Sequence, residues 1–244
     1  MGRILIAETD RFRQLLDERL DGLVSVYLFG SLSYGDFIPG YSDLDIFALF
    51  EPGLSGLELA LGGAKLKNAA GEVYPFSQID ITMATVTEID DPLGPVNPFL
   101  LKEISVANLI YGGQVTFMHP EPVLVEDSMR VAGVGLRNLR GAVTRIGRMN
   151  PPVALRFLDE MLFKSCKALL LGITGRLRSS RAETVAGVEE AFPAMNTWVF
   201  HHLLDIRKRM GLKEPVSDSP ETLLAHVLTA YEDIWAKGRM PCSR

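Results

Sequence analysis

The sequence predicts an α+β chain in two parts: a small mixed-sheet domain over residues 1–122, then an all-helical bundle domain over residues 123–244. Two observations predict it. Short apolar runs bounded by glycine and proline alternate with helix-period segments in the first half. Beyond the Pro120–Pro122 break only helix-period segments remain, and strands and helices followed by helices alone imply a mixed layer joined to a bundle.

The elements follow in order. Residues 8–21 place Phe12, Leu15, Leu16 and Leu20 on one side of a helix. Leu23 to Phe29 is a Val- and Tyr-containing run closed by Gly30, a buried strand. Asp45 to Phe50 is a second strand, closed by Pro52 and Gly53. Residues 54–68 form a helix weakened by Gly56, Gly62 and Gly63. From Ser77 to Val86 the pattern alternates, with Ile79, Ile81 and Met83 on one face and Gln78, Asp80 and Thr82 on the other. A loop containing Pro92, Pro95 and Pro98 leads to a helix near 99–108 and a short strand near 114–117. The second half reads as helices near 126–149, 153–173, 181–191, 194–210 and 219–237, bordered by Pro151–Pro152, Gly175, Pro193 and the Gly211–Pro220 stretch.

Composition sets the class. Of 244 residues, 47% are hydrophobic and 23% charged, a globular mixture with enough apolar surface to fold without staples. No run approaches the ~20 apolar residues of a membrane span. Ile4 to Ala7 is too short for the apolar stretch of a secretory signal, and Cys166 and Cys242 make neither a metal spacing nor a disulfide framework. The expectation is a soluble, cytoplasmic protein. The net charge of −5 hides an asymmetry: residues 1–125 carry 7 basic against 17 acidic groups, residues 126–244 carry 18 against 13. An acidic half suits divalent cations and a basic half suits phosphates, while variation between solvated surfaces explains the same numbers.

The chemistry-bearing pattern is Leu28-Phe29-Gly30-Ser31, eleven residues, then Asp43-Leu44-Asp45-Ile46-Phe47. A strand that ends in Gly-Ser offers backbone N–H groups and a hydroxyl to an anion, and glycine lets a phosphate approach the main chain. Asp43 and Asp45 are two apart at the start of a strand, so both carboxylates project from one face. Their mutual repulsion is offset by a bound divalent cation, and oxygen ligands favour Mg²⁺. Asp80 lies on the polar face of another strand. If that strand adjoins the first, three carboxylates converge, able to hold two metals and to place Asp80 as a proton acceptor. Gly30 to Gly35 has the glycine spacing of a P-loop, but Asp36 stands where its lysine must be.

Gly30-Ser31, followed by Ser42-Asp43-Leu44-Asp45 and the later strand acid Asp80, resembles the nucleotidyltransferase superfamily that shares the DNA polymerase β catalytic fold, nearest to the aminoglycoside and minimal nucleotidyltransferases. The signature spans residues 27–82. Leu170-Leu171-Gly172-Ile173-Thr174-Gly175, with Ser180-Arg181 and Pro193, is similar to the second domain of streptomycin/spectinomycin adenylyltransferases. The resemblance implies transfer of a nucleoside monophosphate from a triphosphate, ATP first, to a hydroxyl with release of pyrophosphate. It implies nucleotide contacts at Gly30, Ser31 and Ser42, a two-ion Mg²⁺ site at Asp43, Asp45 and Asp80, and Asp80 as base. Tyr34-Gly35 departs from the arginine many members carry before the second loop glycine, and Asp80 is one methylene shorter than the glutamate usual in streptomycin-type enzymes.

Other candidates carry a bland reading beside the functional one. On an uninterrupted helix over 126–149, Arg137, Arg140, Arg145 and Arg148 share an arc opposite Leu136, Leu139, Val143 and Ile146, either a phosphate clamp or a solvated face. Lys164 and Lys167 are phosphate contacts or helix-surface lysines. Asp159, Glu160 and Asp205 line a pocket for a cationic acceptor or belong to helix surfaces. His119, His201, His202 and His226 make no sequence-level site, and Trp198 and Trp235 read as packing residues. The expected partners are a nucleoside triphosphate and a small-molecule acceptor such as an aminoglycoside. Nucleotidylation of another protein, extension of an RNA end and non-catalytic nucleotide binding are the alternatives, and the net negative charge argues against nucleic acid. Oligomeric state is open.

Overall fold

A computed structural model describes residues 2–38, 41–74, 78–91, 94–116 and 119–239, with side chains from Glu8 onward. The chain divides into two compact units, Met1–His119 and Pro120–Arg244.

The first unit runs α1 (Gly2–Arg19), β1 (Leu23–Phe29), β2 (Leu44–Phe50), α2 (Gly56–Val73), β3 (Ile79–Thr85), α3 (Pro98–Ile104) and β4 (Asn108–Gly112). The sheet order is β3-β2-β1-β4. β1 pairs antiparallel with β2 and with β4, whereas β2 and β3 are parallel, so the sheet is mixed. The parallel pair exists because α2 carries the chain back between β2 and β3, the crossover a parallel connection requires.

Alternation along the strands sorts side chains to two faces. Val26, Leu28, Ile46, Ala48, Phe50 and Ile79 pack with Phe12 and Leu16 of α1 and with Leu66, Ala69 and Ala70 of α2. Tyr27, Phe47, Leu49 and Ala84 pack on the other face with Ile89, Val96, Leu101 and Ile104. Helix ends follow local chemistry. Ser55 accepts from the backbone N of Glu58 while the Glu58 carboxylate accepts from the backbone N of Ser55, a reciprocal cap that starts α2 despite its glycines. Asn97 Oδ1 accepts from the backbone N of Leu100, and Pro98 opens α3.

One element lies away from its expected place. The strand expected near 114–117 is at Asn108–Gly112, inside the tail of the helix expected over 99–108. Phe117 falls outside the described residues. Ser105 Oγ donates to the Lys102 carbonyl and helps turn the chain out of α3, freeing 108–112 to pair with Ser25–Leu28 of β1. Gly112 ends the strand at φ 75°, with the Val24 carbonyl where a Cβ would project.

The second unit is helical: α4 (Glu121–Ala142), a 3-10 turn (Ile146–Arg148), α5 (Pro151–Thr174), α6 (Arg181–Ala191), α7 (Trp198–Gly211) and α8 (Pro220–Gly238). The helix expected over 126–149 is therefore two pieces. α4 stops beside Gly141, whose carbonyl accepts from Thr144 Oγ1 at 3.2 Å, and the chain restarts as the 3-10 turn. The four-arginine arc does not survive the break: Arg137 and Arg140 lie on α4, whereas Arg145 and Arg148 lie beyond it. Arg140 pairs with Glu232 of α8 at 2.8 Å, and Arg145 stacks over Phe157. Among the described residues no helix is long and apolar enough to cross a membrane.

Candidate active site

The candidate site gathers at one end of the sheet, where β1 finishes and β2 and β3 begin. The Leu44 backbone N donates to the Gln78 carbonyl at 2.7 Å, aligning the two parallel starts. That register makes Asp45 and Asp80 direct neighbours on adjacent strands, while Asp45 also faces Phe29, the last residue of β1. Asp45 shares its side of β2 with Phe47 and Leu49; Asp80 shares its side of β3 with Ala84, which packs against the same cluster. Both carboxylates thus belong to one sheet face, at its rim. Asp45 is half-buried and Asp80 exposed.

Gly30 completes the rim. It sits at φ 65°, the left-handed region glycine adopts freely, and a Cβ there would run into the Asp45 carboxylate. The bare backbone of Gly30 and the carboxylate of Asp45 therefore lie against each other. Beyond it the chain coils: the Tyr34 backbone N donates to the Gly30 carbonyl at 3.3 Å and that of Asp36 to the Ser31 carbonyl at 2.9 Å. Ser33 Oγ donates to the Leu28 carbonyl, and Tyr34 Oη donates to the Glu103 carbonyl of α3 at 3.1 Å. Ser31 is partly buried within this coil. Tyr34 thus ties the loop to α3.

Ser42 is buried, and its Oγ accepts from the Ile38 backbone N at 2.9 Å. Its visible task is to brace the loop that delivers Asp43. Asp43 lies just before β2, half-buried, with Oδ1 sealed from solvent. Among the described residues, no three His, Cys, Asp or Glu side chains stand together as a metal cage. Asp45 and Asp80 stand side by side on paired strands, and Asp43 stands at the same end of the sheet, on the residue that precedes β2. The donor set still suits a hard divalent ion, because Mg²⁺ is usually held by one or two carboxylates together with substrate phosphates rather than by an all-protein cage.

The second unit corrects three sequence-level readings. Asp159, weighed as a pocket acid, is 1% exposed and takes hydrogen bonds from Arg181 (2.9 Å) and Arg207 (3.2 Å), itself buried. Its charge is spent inside the bundle. Glu160 pairs with Arg156 at 2.8 Å. Lys167 is buried on α5 rather than a surface lysine; Lys164 is exposed. Trp198 is half exposed, and its ring stacks on His202 at 4.7 Å and meets His226 edge-on at 5.2 Å. His202 Nε2 in turn contacts Asp218 Oδ1, and His201 Nε2 contacts Glu189. Adjacency in sequence concealed the grouping of Trp198, His202, Asp218 and His226, since its members come from α7, α8 and the loop between them. A cleft lined by Arg19, Lys67, Asn68, Gly71, Glu72 and Ile79 opens on the α1–α2 side of the sheet, the face opposite the acids.

Residues 9–93 match the family model described as the nucleotidyltransferase domain. Those residues, all within the first unit, are therefore similar to a nucleotidyltransferase domain. Among solved structures, the chain is similar to spectinomycin adenyltransferase AAD(9) from Enterococcus faecialis, solved with ATP and spectinomycin: TM-score 0.56, 13% identity, covering 95% of this chain and 99% of that one. That likeness extends to the overall fold. A toxin–antitoxin structure with AMP-PNP aligns over 43% of this chain and 74% of its own at 22% identity and a TM-score of 0.32. No curated protein matches.

Proposed function

We propose that the protein is a Mg²⁺-dependent adenylyltransferase that moves AMP from ATP to a hydroxyl of a small molecule and releases pyrophosphate. The observation that carries the reading is the parallel β2–β3 register, which makes Asp45 and Asp80 neighbours beside the glycine that ends β1. A carboxylate pair of this kind, next to a backbone that a phosphate can approach, suits in-line phosphoryl displacement.

Asp43 and Asp45 hold Mg²⁺ in this reading, with Asp80 beside them. The ion supplies charge neutralisation along the triphosphate when bound. Gly30 leaves room for the triphosphate against the main chain, and Ser31 offers its hydroxyl to it. Ser42 keeps the loop before Asp43 in place. Asp80, the most solvent-accessible of the three acids, accepts the proton of the acceptor hydroxyl at a carboxylate oxygen. The hydroxyl oxygen forms the new bond to the α-phosphorus as the bond to the pyrophosphate oxygen breaks, so catalysis is positioning and electrostatics rather than covalent chemistry by the protein.

An aminoglycoside is the first acceptor to test, because the similar AAD(9) structure was solved with spectinomycin. The test incubates the protein with α-labelled ATP and Mg²⁺ against a panel of aminoglycosides, whole-cell protein and tRNA. Label is expected in a small molecule, and chelation of Mg²⁺ by EDTA is expected to stop transfer. Label in protein or tRNA reassigns the acceptor; ATP binding without transfer to any of them removes the enzymatic reading.

A further inference from the structure

Among the described residues, none covers the outer face of α2. Leu57 is 70% exposed and Leu61, one turn on, is 55% exposed, the two falling on the same face as exposed Ala60 and Ala64. At 100° per residue these four positions occupy an arc of about 100°, the width of an ordinary packed helix face. Scattered exposed leucines mean little, but a contiguous pair flanked by alanines on one helix is a patch. The patch has an end: further along α2, Lys67, Asn68 and Glu72 replace the apolar residues, and Glu72 is tied to Arg19 of α1 at 2.5 Å.

The charges beside the patch identify its occupant. Glu58 and Lys65 are both exposed, seven residues apart, and so lie on the same flank of the apolar stripe. In heptad terms Leu57, Leu61 and Ala64 occupy d, a and d, and Glu58 and Lys65 occupy successive e positions. An antiparallel twofold partner brings the e flank of one helix against the e flank of the other with direction reversed. Glu58 of each copy then meets Lys65 of its mate, twice over. A patch whose own two ends carry opposite charges on one side is self-complementary, as an isologous interface requires. The alanines let the two helix axes approach closely.

We propose that α2 is the dimerisation surface of this protein, pairing antiparallel with α2 of a second copy through Leu57, Ala60, Leu61 and Ala64 and through reciprocal Glu58–Lys65 pairs. The surface lies on the side of α2 turned away from the sheet. It involves none of the residues assigned to nucleotidyl transfer, so it stands whether or not that activity is found.

Sedimentation equilibrium of the full chain tests it. The wild type is expected to dimerise with concentration, and Leu61→Glu, an exposed position whose change leaves the fold intact by circular dichroism, is expected to weaken association by at least about 100-fold. The charge pattern supplies the sharper test. Lys65→Glu and Glu58→Lys each set like charges against each other in both pairs, so each variant alone is expected to associate about tenfold more weakly. An equimolar mixture of the two restores both attractive pairs and is expected to form a mixed dimer as tight as the wild type. The loss of the Ser55–Glu58 cap in the second variant cannot produce that rescue. A wild-type chain that stays monomeric to about 1 mM, or a dimer indifferent to the swaps and their mixture, overturns the proposal.

Discussion

At the scale of single residues, the site rests on one glycine and one aspartate in contact. Replacing Gly30 with alanine asks a residue with a Cβ to hold φ 65° and to share space with the Asp45 carboxylate. The backbone cost is about 1–2 kcal/mol. The displaced carboxylate is the larger functional loss. Gly30→Ala is expected to lower the melting temperature by a few degrees and nucleotidyl transfer by about 100-fold, and thermal melting beside a pyrophosphate-release assay checks both. Asp45→Asn keeps the shape and removes the charge. It is expected to abolish transfer with the melting temperature within a few degrees of wild type; retained turnover would take Asp45 out of the mechanism. Much of this site was legible in the sequence, because Gly30-Ser31 and Asp43-Leu44-Asp45 sit at strand ends that hydrophobic patterning marks, and the alternation around Asp80 assigns it a face. What no pattern supplies is which strand adjoins which. The Asp45–Asp80 pairing is a fact of register, set by the Leu44-to-Gln78 hydrogen bond and the α2 crossover. The tie from Tyr34 to Glu103 was equally hidden, since it joins residues 69 apart through a backbone carbonyl.

Among elements, most segments lie where the sequence places them, and the two that differ are β4 and the helix carried past Gly141. β1 and β2 announce themselves through dense apolar runs. β4 does not: Asn108-Leu-Ile-Tyr-Gly112 is an edge strand of five residues whose strand character comes from pairing with β1 rather than from its own composition. Helical periodicity from the preceding segment ran on through it. Similarly, period counting carried one helix through Gly141 to residue 149, because apolar spacing continues across the break that the Thr144 hydroxyl stabilises. The edge strand provides a test of its own. Gly112→Ala sets a methyl group against the Val24 backbone carbonyl at φ 75°, where neither side can yield without parting the strands. The expected loss is at least about 2 kcal/mol of unfolding free energy, read by urea denaturation. Alanine at Gly35, also at positive φ but facing open space, is expected to cost about half as much or less, which separates the steric clash from the dihedral preference.

For the whole molecule, the two units place their acids differently. In the first, Asp45 and Asp80 stand at the rim of the sheet, half-buried and exposed. In the second, an acid that looked available is withdrawn into the bundle: Asp159 of α5 receives Arg181 of α6 and Arg207 of α7, so one carboxylate ties three helices together. Sequence could not distinguish the two situations, since an aspartate on an amphipathic helix reads the same whether a guanidinium or water faces it. Mutation can. Asp159→Ala leaves the buried Arg207 without that counter-charge, and breaking a buried pair from one side costs about 3–5 kcal/mol. The cost arises from the two guanidiniums that lose this counter-charge, so removing the more buried one as well should return part of it: Asp159→Leu with Arg207→Met is expected to be more stable than Asp159→Ala alone, even though it deletes more native interactions. Thermal and chemical unfolding of the three proteins, with ATP binding measured below the transition, provide the comparison. ATP affinity is expected to stay at the wild-type value throughout, because the residues proposed to face the nucleotide lie in the first unit. A variant at Asp159 that keeps its melting temperature but loses activity against a cationic acceptor would reverse the assignment and return this carboxylate to substrate recognition.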